Sequence, residues 1–278
     1  MYTPPAPPKV RARLLAWYAR ERRDLPWRRT RDPYAVLVSE VMAQQTQVAR
    51  VAPAYRVFLR RFPTLAALAR APLADVLRAW AGLGYNRRAL NLQRTARAVP
   101  DGLPRDPEAL RALPGIGPYT AAAVATFAFG ATVPFADTNV RRVLGRLVLG
   151  RTASLPEAIE LDARYLAPRR SADWHDALMD LGASVCVARR PRCEACPLAS
   201  LCRGRGIVEG PLAKRTGAYA TSDRRVRGAI VAALRDAPAG LTRAALGRAV
   251  GDERTARLTD RLVAEGLVAY RASRYRLG

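Results

Sequence analysis

The sequence predicts a mostly α-helical protein built around a glycine hairpin, with a metal-binding loop and a small helical tail. Three observations carry that prediction. Apolar residues make up 50% of the 278-residue chain, ample for a packed core and unlike a disordered basic tail. The stretch DPEALRALPGIGPYTAAAVATFAFG reads as helix, tight turn, helix. All four cysteines fall within CVARRPRCEACPLASLC, so one short loop holds every thiol in the chain.

Charge narrows the function classes before any motif does. There are 47 basic residues against 23 acidic ones, a net +24, and every basic residue except Lys9 and Lys214 is Arg. A single exposed Arg is an ordinary solvated side chain. An excess of this size, spread along the chain, favours a polyanionic partner, nucleic acid first. The longest apolar run, AAAVATFAFGATVPFA, is interrupted by Gly130 and Pro134 and falls short of the ~20 clean residues of a membrane span. The N-terminus, MYTPPAPPKV, lacks the charged-then-apolar order of a signal peptide, so a soluble cytoplasmic protein with no membrane partner is expected.

Taken in order, residues 1–10 are Pro-rich and are expected to form a disordered arm. In the hairpin, Leu110 and Leu113 close the first helix. Gly115 and Gly117 permit the sharp turn and a close approach of backbone N–H groups to a ligand. Pro118 suits the first turn of the second helix, where its missing N–H costs nothing. Amides at such an entrance suit a DNA phosphate, although the glycines alone fit a plain αα-hairpin equally well. Cys186, Cys193, Cys196 and Cys202 follow the spacing C-x6-C-x2-C-x5-C. In a reducing compartment such a cluster is a metal site far more often than a pair of disulfides. A zinc ribbon normally has two C-x2-C knuckles and this loop has one, so four unevenly spaced thiolates suit a 4Fe–4S cube better than zinc. Arg189, Arg190, Arg192, Arg203 and Arg205 stud the loop and can reach phosphates.

Beyond the cysteines, residues 203–222 are Gly-rich and aperiodic and read as a linker. RVRGAIVAALRDAP is an amphipathic helix ending at Pro238, and Thr242 is an N-cap candidate for a second helix in LTRAALGRAVG. DERTARLTDRLVAEGL is a third helix, and VAYRASRYRLG alternates like a small hairpin. Three helices and a β-hairpin over residues 223–278 follow the plan of a winged helix, either a DNA contact or a packing module.

The cysteine spacing, with Pro197 after the third Cys, resembles the cluster loop of the endonuclease III and MutY DNA glycosylases. Leu-Pro-Gly-x-Gly, an apolar helix and then Asp137 in PFADTNVRRVLGRL resemble the helix–hairpin–helix glycosylase motif. LPWRRTRDPYAVLVSEVMAQQTQVARVAPAY is similar to the first helical segment of MutY-type adenine glycosylases, and GLGYNRRALNL matches a third block. The resemblance runs from about residue 11 to 202. It implies a two-lobed helix–hairpin–helix glycosylase domain over 11–202 with a 4Fe–4S cluster on 186–202. The short tail resembles that of actinobacterial relatives and does not look like the Nudix-like domain that many MutY enzymes use to read 8-oxoguanine.

Excising a base from duplex DNA requires flipping the nucleotide out, protonating the base and stabilising positive charge on the sugar. By resemblance, Glu40 is the acid that protonates the adenine ring and Asp137 stabilises, or transiently bonds, the oxocarbenium-like sugar. Tyr119 and Asn139 match positions that assist Asp137. A lone Glu or Asp is usually a surface charge or a helix cap, and only the flanking motifs favour the catalytic reading here. Bifunctional relatives carry Lys where Tyr119 stands, and that amine forms the Schiff base that cleaves the strand. Neither Lys9 nor Lys214 lies in a catalytic block, so a monofunctional enzyme is expected. Gln45 matches the wedge, and Tyr85 an aromatic that intercalates near the opposite base. Arg23, Trp27 and Arg28 match positions lining the adenine pocket. Where relatives commonly read Phe-Asn followed by Gln or Glu, this chain has Trp174, His175 and Asp176, and His175 is taken as structural.

The expected partner is double-stranded DNA with adenine mispaired to 8-oxoguanine or guanine, met by a monomer associated with the nucleoid. Two competitors remain at this point. One is a thymine/uracil mismatch glycosylase of the same superfamily, which the wedge sequence QQTQ disfavours. The other is a non-catalytic DNA-binding protein with the cluster as a redox sensor, disfavoured by the presence of both Glu40 and Asp137.

Overall fold

The computed structural model describes residues 3–208 and 219–278. Most of the expected linker, residues 209–218, lies outside the described residues. In chain order the helices are α1 (Pro7–Glu21), α2 (Pro33–Ala43), α3 (Val48–Arg61), α4 (Leu65–Arg70), α5 (Leu73–Ala79), α6 (Arg87–Ala98) and α7 (Pro107–Arg111). They continue as α8 (Pro118–Phe129), α9 (Thr138–Leu149), α10 (Leu155–Tyr165), α11 (Ser171–Ser184), α12 (Asp223–Asp236), α13 (Arg243–Val250) and α14 (Thr255–Ala264). Strands β1 (Val268–Arg271) and β2 (Arg274–Leu277) close the chain. Contacts divide these elements into two compact units.

The first unit takes residues 1–33, 105–111 and 116–214. Its core is formed by α1, α9, α10 and α11, with Leu14, Val140, Leu144, Tyr165, Trp174 and Leu178 wholly buried. Each large apolar side chain so buried stabilises the fold by about 1.5–3 kcal/mol relative to its exposed state. A capping box sets the start of α10: the Ser154 side chain accepts from Glu157 N, and the Glu157 carboxylate accepts from Ser154 N at 2.8 Å. The expected disordered arm is not wholly disordered. Helix α1 begins at Pro7, because Pro is tolerated in a first helical turn and Val10 is buried in the core. The Tyr165 hydroxyl also donates to Pro5 O at 2.7 Å.

The second unit takes residues 34–104, 112–115 and 215–278. Phe58 and Trp80, both fully buried, meet edge to face with centroids 5.8 Å apart. The buried Gln93 amide donates to Leu68 O and Ala71 O, satisfying the end of α4. The tail carries three helices and a two-residue hairpin whose central residues, Ala272 and Ser273, are both left-handed, as a primed turn requires. Thr242 caps α13 by accepting from Ala245 N. The tail has the order of elements that the sequence leads one to expect, three helices and then a hairpin. It packs with α5 through α12 and β2, Arg94 donates to Glu265 O at 3.2 Å, and Arg227 pairs with the Glu265 carboxylate.

Candidate active site

Asp137 is the N-cap of α9. One carboxylate oxygen accepts from Asn139 N and Val140 N, both at 2.8 Å, and the other accepts from Asn139 Nδ2 at 2.8 Å. The open N-terminal amides and the helix dipole complement a negative charge there. Asn139 is held in turn, because its Oδ1 accepts from Arg142 Nη2 at 2.7 Å. The buried Arg142 guanidinium also donates to Gly182 O at 2.7 Å and Cys186 O at 2.6 Å. Asp137, Asn139 and the first cysteine of the loop thus share one set of hydrogen bonds.

Tyr119 lies in the first turn of α8, half-buried, its ring edge-on to Phe135 at 5.4 Å. Phe135 stacks on His175 at 3.8 Å. His175, Trp174 Nε1 and Phe135 N all meet the buried Asp162 carboxylate, at 2.8 to 3.0 Å. Where the chain departs from the family at Trp174 and His175, both side chains are fully buried around Asp162. Their role in this unit is positional.

Arg23 and Arg28 converge on two carboxylates of α11. Arg28 Nε donates to Asp176 at 2.9 Å, and Nη1 and Nη2 grip Asp180 at 2.7 and 2.9 Å. Arg23 N and Nε donate to Asp180 as well. Burial alone would disfavour the Arg28 charge, but the Asp180 hydrogen bonds and both carboxylates raise its pKa. Asp176 is pushed up to about 6, chiefly by burial and further by the Asp180 charge, against the pull of Arg28. Burial works the same way on Asp180, yet its hydrogen bonds to Arg28 and Arg23 win and hold it below the ordinary carboxylate range. Trp27 is half-buried in the same segment.

In the second unit, Glu40 sits half-buried near the end of α2. Gln45 and Tyr85, the two residues expected to invade the base stack, both have left-handed backbones, with φ of 53° and 46°. Non-glycine residues held there are strained, and such strain concentrates at functional sites. Arg88 holds both loops. Its Nη1 donates to Val41 O, Met42 O and Gln44 O, and its Nη2 to Thr46 Oγ1, Leu83 O and Gly84 O. Burial lowers the Arg88 pKa to about 10, against a smaller opposing effect of Tyr85.

The hairpin glycines differ in what they do. Gly115 has φ of 77°, and a Cβ would stand 2.6 Å from Asn91 Cβ, so the turn admits no side chain. Gly117 is the N-cap of α8 with extended backbone and nothing within 4 Å of a Cβ, so sterics do not require glycine there. What its exposed position offers is open approach to the α8 N-terminus, where no side chain caps the amides.

Cys186, Cys193, Cys196 and Cys202 line one cavity together with Arg146, Val185 and Pro191. Four cysteines lining one cavity suit a cube held at its corners. Gly206 N donates to Cys193 Sγ at 3.3 Å and Arg146 Nη1 to Cys186 Sγ at 3.6 Å, donors suited to thiolate charge. Burial pushes the Cys196 and Cys202 thiols up to about 11, so loading iron must displace their protons. The loop is fastened to α9, because Arg203 N and Gly204 N donate to Leu147 O and Arg146 O.

Sequence reasoning missed Arg88, Arg142, Arg146, Asp180 and Gly182. Each acts through what the fold brings near it, and none carries a local signature.

Comparison with known proteins agrees with this geometry. A family model described as the HhH-GPD superfamily base excision DNA repair protein matches residues 38–169, and one for the iron-sulfur binding domain of endonuclease III matches residues 186–202. The adenine DNA glycosylase of Mycolicibacterium smegmatis is 49% identical over 243 residues, covering 84% of this chain and 83% of that protein. The adenine DNA glycosylase of Homo sapiens is 46% identical over 217 residues, covering 72% of this chain and 40% of that protein. Among solved structures, a thermostable thymine-DNA glycosylase aligns with TM-score 0.63 at 30% identity, over 72% of this chain and 96% of that one. A trapped endonuclease III–DNA covalent intermediate aligns with TM-score 0.62 at 27% identity, over 73% of this chain and 97% of that one.

Hairpin, capped aspartate and four-cysteine loop on this helical scaffold define a base-excision DNA glycosylase of the helix–hairpin–helix superfamily that carries a 4Fe–4S cluster. Within that class, the chain belongs to the adenine DNA glycosylase family.

Proposed function

We propose that this enzyme hydrolyses the N-glycosidic bond of adenine mispaired with 8-oxoguanine or guanine, leaving an abasic site and an intact strand. The observation that carries the reading is the Asp137 carboxylate, fixed at a helix N-terminus by two backbone amides and Asn139. An anion so held costs no reorganisation when positive charge develops on the sugar. Glu40 supplies the proton that makes adenine a leaving group. Tyr119 takes the place of a lyase lysine, so no Schiff base forms at that position. Gln45 and Tyr85 enter the stack as the target leaves it, and Arg23, Trp27 and Arg28 border the base pocket. The cluster's role is structural: bound to its four cysteines, it would hold their Arg-rich loop in shape for phosphate contact. The enzyme acts as a monomer, among the chromosomal DNA of the cell, and residues 223–278 function as a winged helix.

Single-turnover base release from duplexes with A opposite 8-oxoguanine, A opposite G, T opposite G and U opposite G tests this reading. Strand breaks should appear only after alkali and only on the adenine strands. Glu40→Gln should slow them by about 10²–10⁴-fold. Release of T or U would move the enzyme to the mismatch branch, and breaks without alkali would refute the monofunctional chemistry.

A further inference from the structure

Tyr85 is a strained, partly exposed aromatic, 37% accessible, with two arginines over its ring. Arg88 lies 5.4 Å from the ring centroid and is spent on the carbonyls of both loops. Arg224 is different. It comes from the first turn of α12, and its guanidinium carbon sits 5.1 Å from the Tyr85 centroid and 4.9 Å from the Tyr219 centroid. Its Nη1 also donates to the Tyr85 hydroxyl. The neighbouring tail arginines are neutralised by carboxylates: Arg225 by Asp252, Arg227 by Glu265, and Arg254 by Asp252 and Asp223. Among the described residues Arg224 has no carboxylate, and it is exposed. A guanidinium stacked between aromatic rings, with donors to spare, is preorganised to address a base edge.

We infer that Arg224, set by Tyr219 against Tyr85, reads the base opposite the target adenine, so that the C-terminal segment supplies part of the enzyme's opposite-base specificity. The inference rests on the proposed reading of Tyr85 as the aromatic beside that base. Guanine presents two acceptors, O6 and N7, which a guanidinium meets with two parallel hydrogen bonds. In 8-oxoguanine O6 remains an acceptor while N7 carries a hydrogen, so one of the two bonds is lost. Arg224 should therefore favour guanine-type bases through O6 and sense N7 separately.

The test uses the full chain with its cluster loaded, on duplexes carrying adenine opposite guanine, 7-deazaguanine, 8-oxoguanine or cytosine. Single-turnover release and affinity for the same duplexes with an uncleavable adenine analogue are read together. Wild type should lose about tenfold on replacing guanine by 7-deazaguanine, and Arg224→Ala should abolish that difference. Arg224→Lys should keep part of the affinity and lose the discrimination, since a point charge cannot make the paired contact. A wild-type profile indifferent to N7 would overturn the inference without needing any variant to fold. A uniform loss in Arg224→Ala across all four duplexes would also overturn it, assigning Arg224 to a phosphate. If wild type released no adenine from any duplex, the proposed function itself would fall, whereas adenine release with a flat opposite-base profile sinks only this inference.

Discussion

Gly182 shows how much of the candidate site is set by a missing atom. A Cβ there would lie 2.5 Å from Asn139 Cβ and 3.0 Å from its Oδ1. Gly182→Ala must therefore displace the amide that holds Asp137. Single-turnover adenine release should drop by about tenfold to a hundredfold, with affinity for uncleavable duplex nearly unchanged. Equal losses in both would mean that Gly182 serves folding alone. Asp176 offers a second test, through pH. A carboxyl raised to about 6 binds its proton more tightly in the native state than in the unfolded one. Its stabilising contribution is complete below the unfolded value of about 4 and is lost as pH rises through about 6. Asp176→Asn mimics the protonated form. Urea unfolding should show variant and wild type alike near pH 4.5, with the variant gaining relative stability towards pH 7. A difference that stayed flat or shrank over that window would contradict a raised Asp176 pKa.

At the scale of elements, Arg88 joins the last turn of α2 and the turn after it to the turn before α6, with donors to six oxygens. Those turns carry the strained Gln45 and Tyr85, and strain persists only where surroundings over-determine it. Arg88→Met should lower unfolding stability by about 3 kcal/mol, since several partly buried carbonyls lose a charged donor. Amide hydrogen exchange should accelerate at residues 43–46 and 82–85 before it does in the helices. Exchange unchanged in both turns would show that Arg88 does not hold them. None of this was legible in GLGYNRRALNL, where Arg87 and Arg88 are adjacent and only the fold turns one inward. What the sequence did reveal was local: the hairpin, the cysteine spacing, the Thr242 cap and Asp137 each sit in a short stretch with its own geometry. The Pro-rich start misled because composition says nothing of Val10 meeting a core built from residues far along the chain. Whether the tail packs on other helices was left open by its sequence, since the contact with α5 depends on surfaces and not on the connection.

A chain of hydrogen bonds runs from the cysteine loop to Asp137. Arg142 bonds Cys186 O, Gly182 O and Asn139 Oδ1, and Asn139 bonds Asp137. Arg146, 1% exposed, ties Val187 O and Ala188 O to the same helix, α9. Bound through Cys186, a cluster would fix the backbone that carries that residue, so its loss should reach the aspartate and not only the Arg-rich loop. Iron should be extracted by oxidation and chelation, with the visible absorbance followed to completion. The apo-protein should then lose DNA affinity, because the loop arginines no longer hold their positions. It should also release adenine more slowly from saturated complexes, as Asn139 relaxes and Asp137 loses a hydrogen bond. A purely DNA-positioning cluster predicts the first loss without the second. Arg142→Lys in the iron-loaded protein separates the two routes: it weakens the links to Asn139 and to Cys186 O while altering none of the four cysteine side chains. Slower release with near-normal affinity and undiminished cluster absorbance is the expected result, and full activity in that variant would break the proposed connection between the cluster and the Asp137 carboxylate.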